Sequence, residues 1–143
     1  MDGMEGPMAA PAAAIPVRRI IDKMNEYMSR LDYAGAERHL KYWLAEARAT
    51  GDRRGELTVL NELIGHARKT DQRELARRSA EEALALLAAL ELEESVTAGT
   101  TCINIATAAY VFGDYQRSME MFERAEAAYR GQADVDPGLM GGL

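Results

Sequence analysis

The chain has 143 residues, a length that suits one domain or two very small ones. Its net charge of −6 and its pI near 5.0 exclude a basic nucleic-acid-binding protein and a protein drawn to anionic membranes. A single cysteine, Cys102, excludes an internal disulfide and a zinc site built from several cysteines. Alanine is abundant and only 6% of the residues are aromatic, so the composition favours packed helices over a β-sheet.

Residues 1–15 are rich in glycine, proline and alanine and are predicted to form a flexible tail. Their charges are acidic and prolines interrupt the apolar stretch, whereas a secretory signal needs a basic start and a longer apolar run. The longest later apolar run, Ala83–Leu90, is far shorter than the ~20 residues that span a bilayer. We therefore expect a cytoplasmic protein that makes no contact with a membrane.

Apolar residues recur at three- and four-residue spacing from Pro16 onward, which predicts six helices. Pro16 suits the first position of the first helix. Asp32 is placed to cap the second helix and Gly51 to end it, and the third helix is expected to start near Asp52. The segment Asp71–Glu74 has the Asp-x-x-Glu spacing of a capping box and predicts the start of the fourth helix.

The last two helices carry similar signals. The fifth is predicted to begin near Ser95 and to end at Gly113, and Asp114 then caps the sixth, which Gly131 ends. The predicted apolar face of the sixth helix consists of Tyr115, Met119, Phe122, Ala125 and Tyr129. Because the connections are short, successive helices are expected to pack antiparallel as three hairpins.

Comparison of the chain with itself shows a repeat of about forty residues that occurs three times. The second helix of each hairpin carries a small residue, and these three positions lie 40 and 42 residues apart. They are Ala36, Ala76 and Ser118. Twelve residues before each of them, the first helix of the same hairpin carries Met24, Ile64 and Ala106. Small residues at such positions allow two helices to approach closely.

The third copy is Asn104-Ile105-Ala106-x-x-Ala109-x-x-x-Gly113-Asp114-Tyr115-x-x-Ser118-x-x-x-Phe122-x-x-Ala125. It resembles the tetratricopeptide repeat family in its longer variant of about forty residues, and the resemblance covers residues 16–131. The family usually has tyrosine and alanine at the positions of Ala109 and Ser118. The resemblance implies an all-α, right-handed α-α superhelix of three antiparallel hairpins, whose first helices line a concave groove.

The resemblance also implies that the protein binds other proteins without catalysing a reaction. Carried over residue by residue, the preferred contacts of a bound peptide in the groove are Asn25, Asn61, Arg68, Asn104, Thr107 and Tyr110. An asparagine amide both donates and accepts hydrogen bonds, so it can pair with the backbone of an extended peptide. Each of these residues is also consistent with an ordinary exposed polar position on a helix.

Residues 132–143 are interpreted as a tail or as the start of a further repeat helix, because Asp136-Pro137 resembles a cap followed by a first-turn proline. If the third hairpin lacks a neighbour, large apolar side chains on its open side are expected to be partly exposed. These side chains are Tyr110, Met119, Phe122 and Tyr129. Such exposure predicts a homodimer that forms through the end repeats.

No residue pattern indicates a catalytic, cofactor-binding or metal site. His39 lies in a polar stretch and is interpreted as a surface residue, whereas His66 is either structural or directed into the groove. Cys102 and Trp43 lie on apolar helix faces and are predicted to be buried.

The sequence thus predicts a non-enzymatic scaffold or adaptor without a cofactor, which binds a peptide or protein segment in its groove and does not bind nucleic acid. Two alternatives remain open at this point. One is a structural domain that associates with itself, and the other is a regulatory segment of a larger sensor or transcription regulator.

Overall fold

The computed structural model describes residues 14–135, and within them the chain forms six α-helices and no β-strand. The all-α prediction and the number of helices are therefore confirmed. The predictions of a tail before residue 14 and of a helix start at residues 136–143 lie outside the described residues. The helices are α1 (Val17–Ser29), α2 (Tyr33–Thr50), α3 (Arg53–Lys69), α4 (Arg73–Ala89), α5 (Val96–Val111) and α6 (Tyr115–Val135).

All five turns between these helices have the same backbone construction. Each contains one residue in the left-handed region, and the next residue donates its N–H to the carbonyl oxygen five positions earlier, at 2.8 or 2.9 Å. This bond satisfies a carbonyl that the end of the helix leaves without a partner. The left-handed residues are Leu31, Gly51, Asp71, Glu91 and Gly113, so the turns recur every 20 residues three times and then after 22.

The predicted caps Asp32 and Asp114 are confirmed, because each side chain accepts a hydrogen bond from a backbone N–H in the first turn. Asp52 and Ser95, near which the third and fifth helices were expected to start, cap their helices in the same way. The side chains of Asp32 and Asp52 accept from the N–H groups of Gly35 and Gly55, each at 2.9 Å. The remaining two caps are Ser95, which accepts from Ala98, and Asp114, which accepts from Arg117.

Two predicted helix boundaries were wrong. Asp71 does not cap α4, because it occupies the left-handed position of the turn, and Gln72 is the residue that precedes the helix. Gly131 does not end α6, which continues to Val135. A glycine in a helix costs about 1 kcal/mol relative to alanine, which the rest of a long helix can absorb.

Contacts divide the chain into two compact units, residues 1–63 and residues 64–143, with the boundary inside α3. In the first unit α1 packs against α2 around Ile20, Met24 and Leu40. Ile15 also belongs to this unit, because its side chain is buried and its N–H donates to the Asp52 carboxylate at 2.9 Å. Ile15 is therefore part of the packed structure, although the sequence analysis placed it in the predicted flexible tail of residues 1–15.

In the second unit α5 packs against both α4 and α6. The small repeat residues are buried as predicted, and Ser118 donates its hydroxyl to the carbonyl of Ala106 on α5 at 2.9 Å. Among the described residues, no helix combines the length and the apolar character required to cross a membrane.

Candidate interaction surfaces

The apolar face predicted for α6 is largely exposed, and this corrects the sequence interpretation. Of its five residues only Ala125 is buried, and the helix packs instead through Ser118, Met121, Ala125 and Ala128. We use the name end face for five exposed side chains of α5 and α6, which are Tyr110, Tyr115, Met119, Phe122 and Tyr129. Their exposed fractions range from 37% for Tyr129 to 64% for Met119, which confirms the exposure expected at the open side of the third hairpin.

Side-chain contacts between α5 and α6 order both edges of the end face. The rings of Tyr110 and Tyr115 lie 5.3 Å apart between centroids, so α5 and α6 contribute to one continuous apolar surface. At the other edge, Tyr129 lies against α5, and its hydroxyl is 3.1 Å from the Thr100 hydroxyl. Phe122 and Met119 lie between these edges on α6.

The repeat explains why this face is exposed. Positions 80 and 87 of α4 correspond to positions 122 and 129 of α6, since the two copies are 42 residues apart. Ala80 and Leu87 are 4% and 1% exposed, on a helix that α5 packs against. Phe122 and Tyr129 occupy the same positions on α6, where 45% and 37% of their surface is exposed. This part of the end face thus corresponds to a surface that is buried in the preceding copy, whereas Tyr115 and Met119 correspond to the exposed residues Arg73 and Arg77.

The charges of residues 115–130 on α6 balance, although the whole chain carries a net charge of −6. Between residues 115 and 130 the helix has three arginines and three glutamates, and Arg130 pairs with Glu126 at 2.7 Å. The charged residues are Arg117, Glu120, Glu123, Arg124, Glu126 and Arg130. A surface with this balance does not repel a partner of either sign at long range.

Two of the six predicted groove residues lie in the first unit. Asn25 is exposed on α1. Asn61 is half-buried on α3, and its amide donates to the carbonyl of Leu57 at 3.1 Å. Part of the hydrogen-bonding capacity of Asn61 is therefore already used within its own helix.

The other four predicted groove residues lie in the second unit. Arg68 is half-buried near the end of α3. Asn104, Thr107 and Tyr110 follow one another at three-residue spacing on α5, so they share one side of that helix. Thr107 donates its hydroxyl to the carbonyl of Ile103 at 2.9 Å, whereas the Tyr110 ring is well exposed.

The structure also contains a small cavity that the sequence did not predict, and none of the six groove residues lines it. Its volume is about 100 Å³, and it lies in the second unit between the start of α4 and the end of α5. Ile105 and Ala109 contribute to its apolar wall, and Arg73 stands at its edge. Arg73 donates to the carbonyl of Phe112 at 2.6 Å, and its guanidinium lies over the Phe112 ring. Arg73 thereby joins two helix ends that are 39 residues apart.

Arg77, one turn after Arg73 on α4, is part of a salt-bridged surface. Arg77 pairs with Glu74 one turn before it and with Glu81 one turn after it, the latter at 2.7 Å. The hydrogen bond from Arg77 lowers the pKa of the Glu74 carboxyl below its ordinary value. Because these side chains are solvated, we interpret the cluster as a surface network rather than a binding site.

The structure changes the sequence interpretation of His39 and Trp43 and decides between the two alternatives for His66. His39 is not simply a surface residue, because its Nε2 atom donates to the carbonyl of Ile20 on α1 at 2.9 Å. His66 is buried rather than directed into a groove. Trp43 is only half-buried, and the exposed ring of Tyr42 packs edge-on against it. Each of these side chains therefore serves the packing of helices.

Cys102 is buried as predicted, and burial raises the pKa of its thiol above the ordinary value. In the part of the chain that the structure describes, no three histidine, cysteine, aspartate or glutamate side chains are grouped so that they could hold a metal ion. The end face is therefore the feature with the clearest capacity for binding. Comparison of the chain with family models, curated proteins and solved structures found no match.

Proposed function

We propose that the protein is a non-catalytic protein-binding module of the tetratricopeptide-like kind, which acts as a scaffold or adaptor through its end face. The observation that carries this proposal is the exposure of five large apolar side chains on one continuous surface. Tyrosine, phenylalanine and methionine are enriched at protein interfaces, where buried aromatic anchors contribute most of the affinity. At roughly 200 Å² for each large side chain, the exposed parts amount to about 500 Å².

The turn geometry supports the repeat interpretation. Five turns with one construction, spaced 20 or 22 residues apart, give three helix pairs of about forty residues. In stacked repeats each unit leaves one apolar face for its neighbour, and a terminal unit needs a polar cap to avoid association. The end face lacks such a cap among the described residues. A surface of this kind suits binding to another protein better than it suits solvent.

A second candidate is binding of an extended peptide along the side of α5 that carries Asn104 and Thr107. The observation that favours it is the position of Tyr110, which continues the line of these two residues and also belongs to the end face. Amide and hydroxyl groups beside an exposed aromatic ring match the backbone and one apolar side chain of a peptide. This candidate retains the groove contacts predicted from the family resemblance.

Photo-crosslinking in the organism that encodes the protein separates the two candidates. Benzoylphenylalanine would replace Tyr115 on the end face, Thr107 on α5 or, as a control, Tyr42, which is an exposed tyrosine of the first unit. We expect discrete protein adducts from position 115 that the added substitution Phe122→Glu removes. Adducts from position 107 alone would favour the peptide site. Equal labelling from positions 115 and 42, or none from 115, would overturn binding through the end face.

A further inference from the structure

We propose that the end face binds the end face of a second copy of this chain, so that two α6 helices pair antiparallel about a two-fold axis. This inference rests on the proposed function, because it names the occupant of the same surface. The exposed stripe on α6 has the spacing of a two-helix seam, with four and three residues alternating along Tyr115, Met119, Phe122, Glu126 and Tyr129. A surface with this spacing can pack along a second helix over its whole length.

Glu126 is the one charged member of this stripe. A polar residue at a single seam position lowers the stability of a helix pair but restricts its register. Arg130 already pairs with Glu126 at 2.7 Å, so the carboxylate enters the seam with a partner from its own helix. The other four members supply the apolar contacts, and Met119 has the flexibility to adapt to the larger rings opposite.

The charges of α6 favour the antiparallel direction. In a parallel pair identical seam positions meet at the same height, so Glu126 would face Glu126. An antiparallel pair centred on Phe122 avoids this like-charge contact and places Glu126 opposite Met119 of the second copy. Opposed helix dipoles favour the same direction. Because residues 115–130 of α6 contain three arginines and three glutamates, two copies approach through them without the repulsion expected from two chains of charge −6.

The size of the end face predicts a weak and reversible dimer. About 500 Å² from each copy gives a total near 1,000 Å², at the lower limit for a specific interface. A two-fold interface uses the same surface on both copies and therefore closes at the dimer without forming filaments. The edge rings of Tyr110 and Tyr129 flank the seam, and their exposed portions would be covered by the second copy.

Sedimentation velocity of the full chain tests the proposal across micromolar to millimolar concentrations. We expect a reversible monomer–dimer equilibrium that Phe122→Glu or Met119→Glu shifts to the monomer by at least tenfold in dissociation constant. The matched control is Ala127→Glu, which places the same charge on an exposed position of α6 away from the seam. It should leave the equilibrium within about twofold, and circular dichroism should show all three variants folded.

Three results would overturn the proposal: a monomer at every concentration, a dimer unaffected by Phe122→Glu, or equal weakening by Ala127→Glu. Direction is tested with Tyr115→Cys in a Cys102→Ala background, since a parallel pair brings residue 115 of the seam close to its copy and an antiparallel pair separates the two. Rapid disulfide formation between two chains would refute antiparallel pairing.

If the chain is monomeric but position 115 still crosslinks to another protein, the proposed function survives and the self-pairing does not. If both experiments fail, neither stands.

Discussion

Tyr129 on α6 lies so close to Gly99 on α5 that a Cβ atom at residue 99 would come within 2.9 Å of the ring carbon Cζ. This relationship accounts for a glycine inside α5, where glycine is unfavourable for the helix itself. The absent side chain leaves room for the tyrosine ring, whose hydroxyl then reaches Thr100. Gly99 therefore allows close packing of the last two helices.

We expect Gly99→Ala to lower the free energy of unfolding by about 1–2 kcal/mol, because the Tyr129 ring must move to make room for the added methyl group. The higher helix propensity of alanine offsets only part of this cost. Urea denaturation followed by circular dichroism measures the change. Adding Tyr129→Ala should remove most of the penalty of the alanine at residue 99, since no ring is then displaced.

Gly65→Ala is the matched control, since Gly65 lies within α3 and an added Cβ would meet no atom within 4 Å beyond its chain neighbours and the backbone of its own helix. It should raise the free energy of unfolding, by up to about 1 kcal/mol. If Gly65→Ala and Gly99→Ala lower the free energy of unfolding by similar amounts, contact with Tyr129 does not explain why residue 99 is a glycine.

Asp52 is buried and accepts two backbone hydrogen bonds, from Gly55 at the start of α3 and from Ile15 before α1. Asp52→Ala should lower the free energy of unfolding by about 3 kcal/mol, because it removes a helix cap and leaves the N–H of Ile15 buried without a partner. Urea denaturation measures the loss. Hydrogen exchange should show loss of protection specifically at the Ile15 amide.

The cap residue of the preceding helix, Asp32, provides the control. Asp32 caps α2 through Gly35, but Asp32 is exposed, and within residues 14–135 its side chain makes this one hydrogen bond. Asp32→Ala should cost about 1 kcal/mol, the usual value for a cap alone. If the two alanine variants lose equal stability, the bond to Ile15 contributes nothing.

The raised pKa of the Cys102 thiol predicts a loss of stability in alkali. Above about pH 8.5 the unfolded chain loses the thiol proton while the folded chain retains it, so the unfolded state binds fewer protons and the free energy of unfolding falls. The contribution of the thiol to the free energy of unfolding is therefore unchanged below the ordinary pKa of a cysteine, and it falls as the pH rises above that value. Relative to Cys102→Ala, the wild type should lose up to about 1.4 kcal/mol per pH unit there.

Parallel denaturation series on the wild type and on Cys102→Ala between neutral pH and pH 10 check this prediction, because the difference removes the effects of the tyrosines and lysines that both proteins share. If the difference in unfolding free energy between the wild type and Cys102→Ala stays constant with pH, the thiol is not buried. If the wild type becomes more stable relative to the variant as the pH rises, the positive charges of Arg117 and Arg124 stabilise the thiolate.

The turns were largely predictable because their signals are local. Asp32, Gly51 and Gly113 each act within a few residues of their own position, through a cap or a left-handed backbone. The start of α4 was misplaced because several adjacent polar residues are compatible with a cap. The bond from the N–H of Gln72 to the carbonyl of Ala67 places the turn one residue later than the Asp-x-x-Glu spacing suggested.

The packing face of α6 was not predictable from apolar character alone, because two sides of the helix are apolar. The side with the larger residues, such as Phe122, was the natural choice, but the smaller side with Ser118 and Ala125 is buried. The repeat alignment had already marked Ser118 as a close-contact position. Contacts such as that between Ile15 and Asp52 join residues 37 positions apart and have no local signal.

The five similar turns have a consequence for the gene as well as for the protein. Each turn satisfies its own backbone hydrogen-bonding groups. A duplication or deletion of the forty residues from one left-handed turn residue, Leu31, to another, Asp71, would therefore leave a turn of the same backbone construction where the chain is rejoined. Homologous chains with one more or one fewer hairpin are thus accessible in a single recombination event. The chemistry of the last helix, rather than that of any turn, then determines what such a chain associates with.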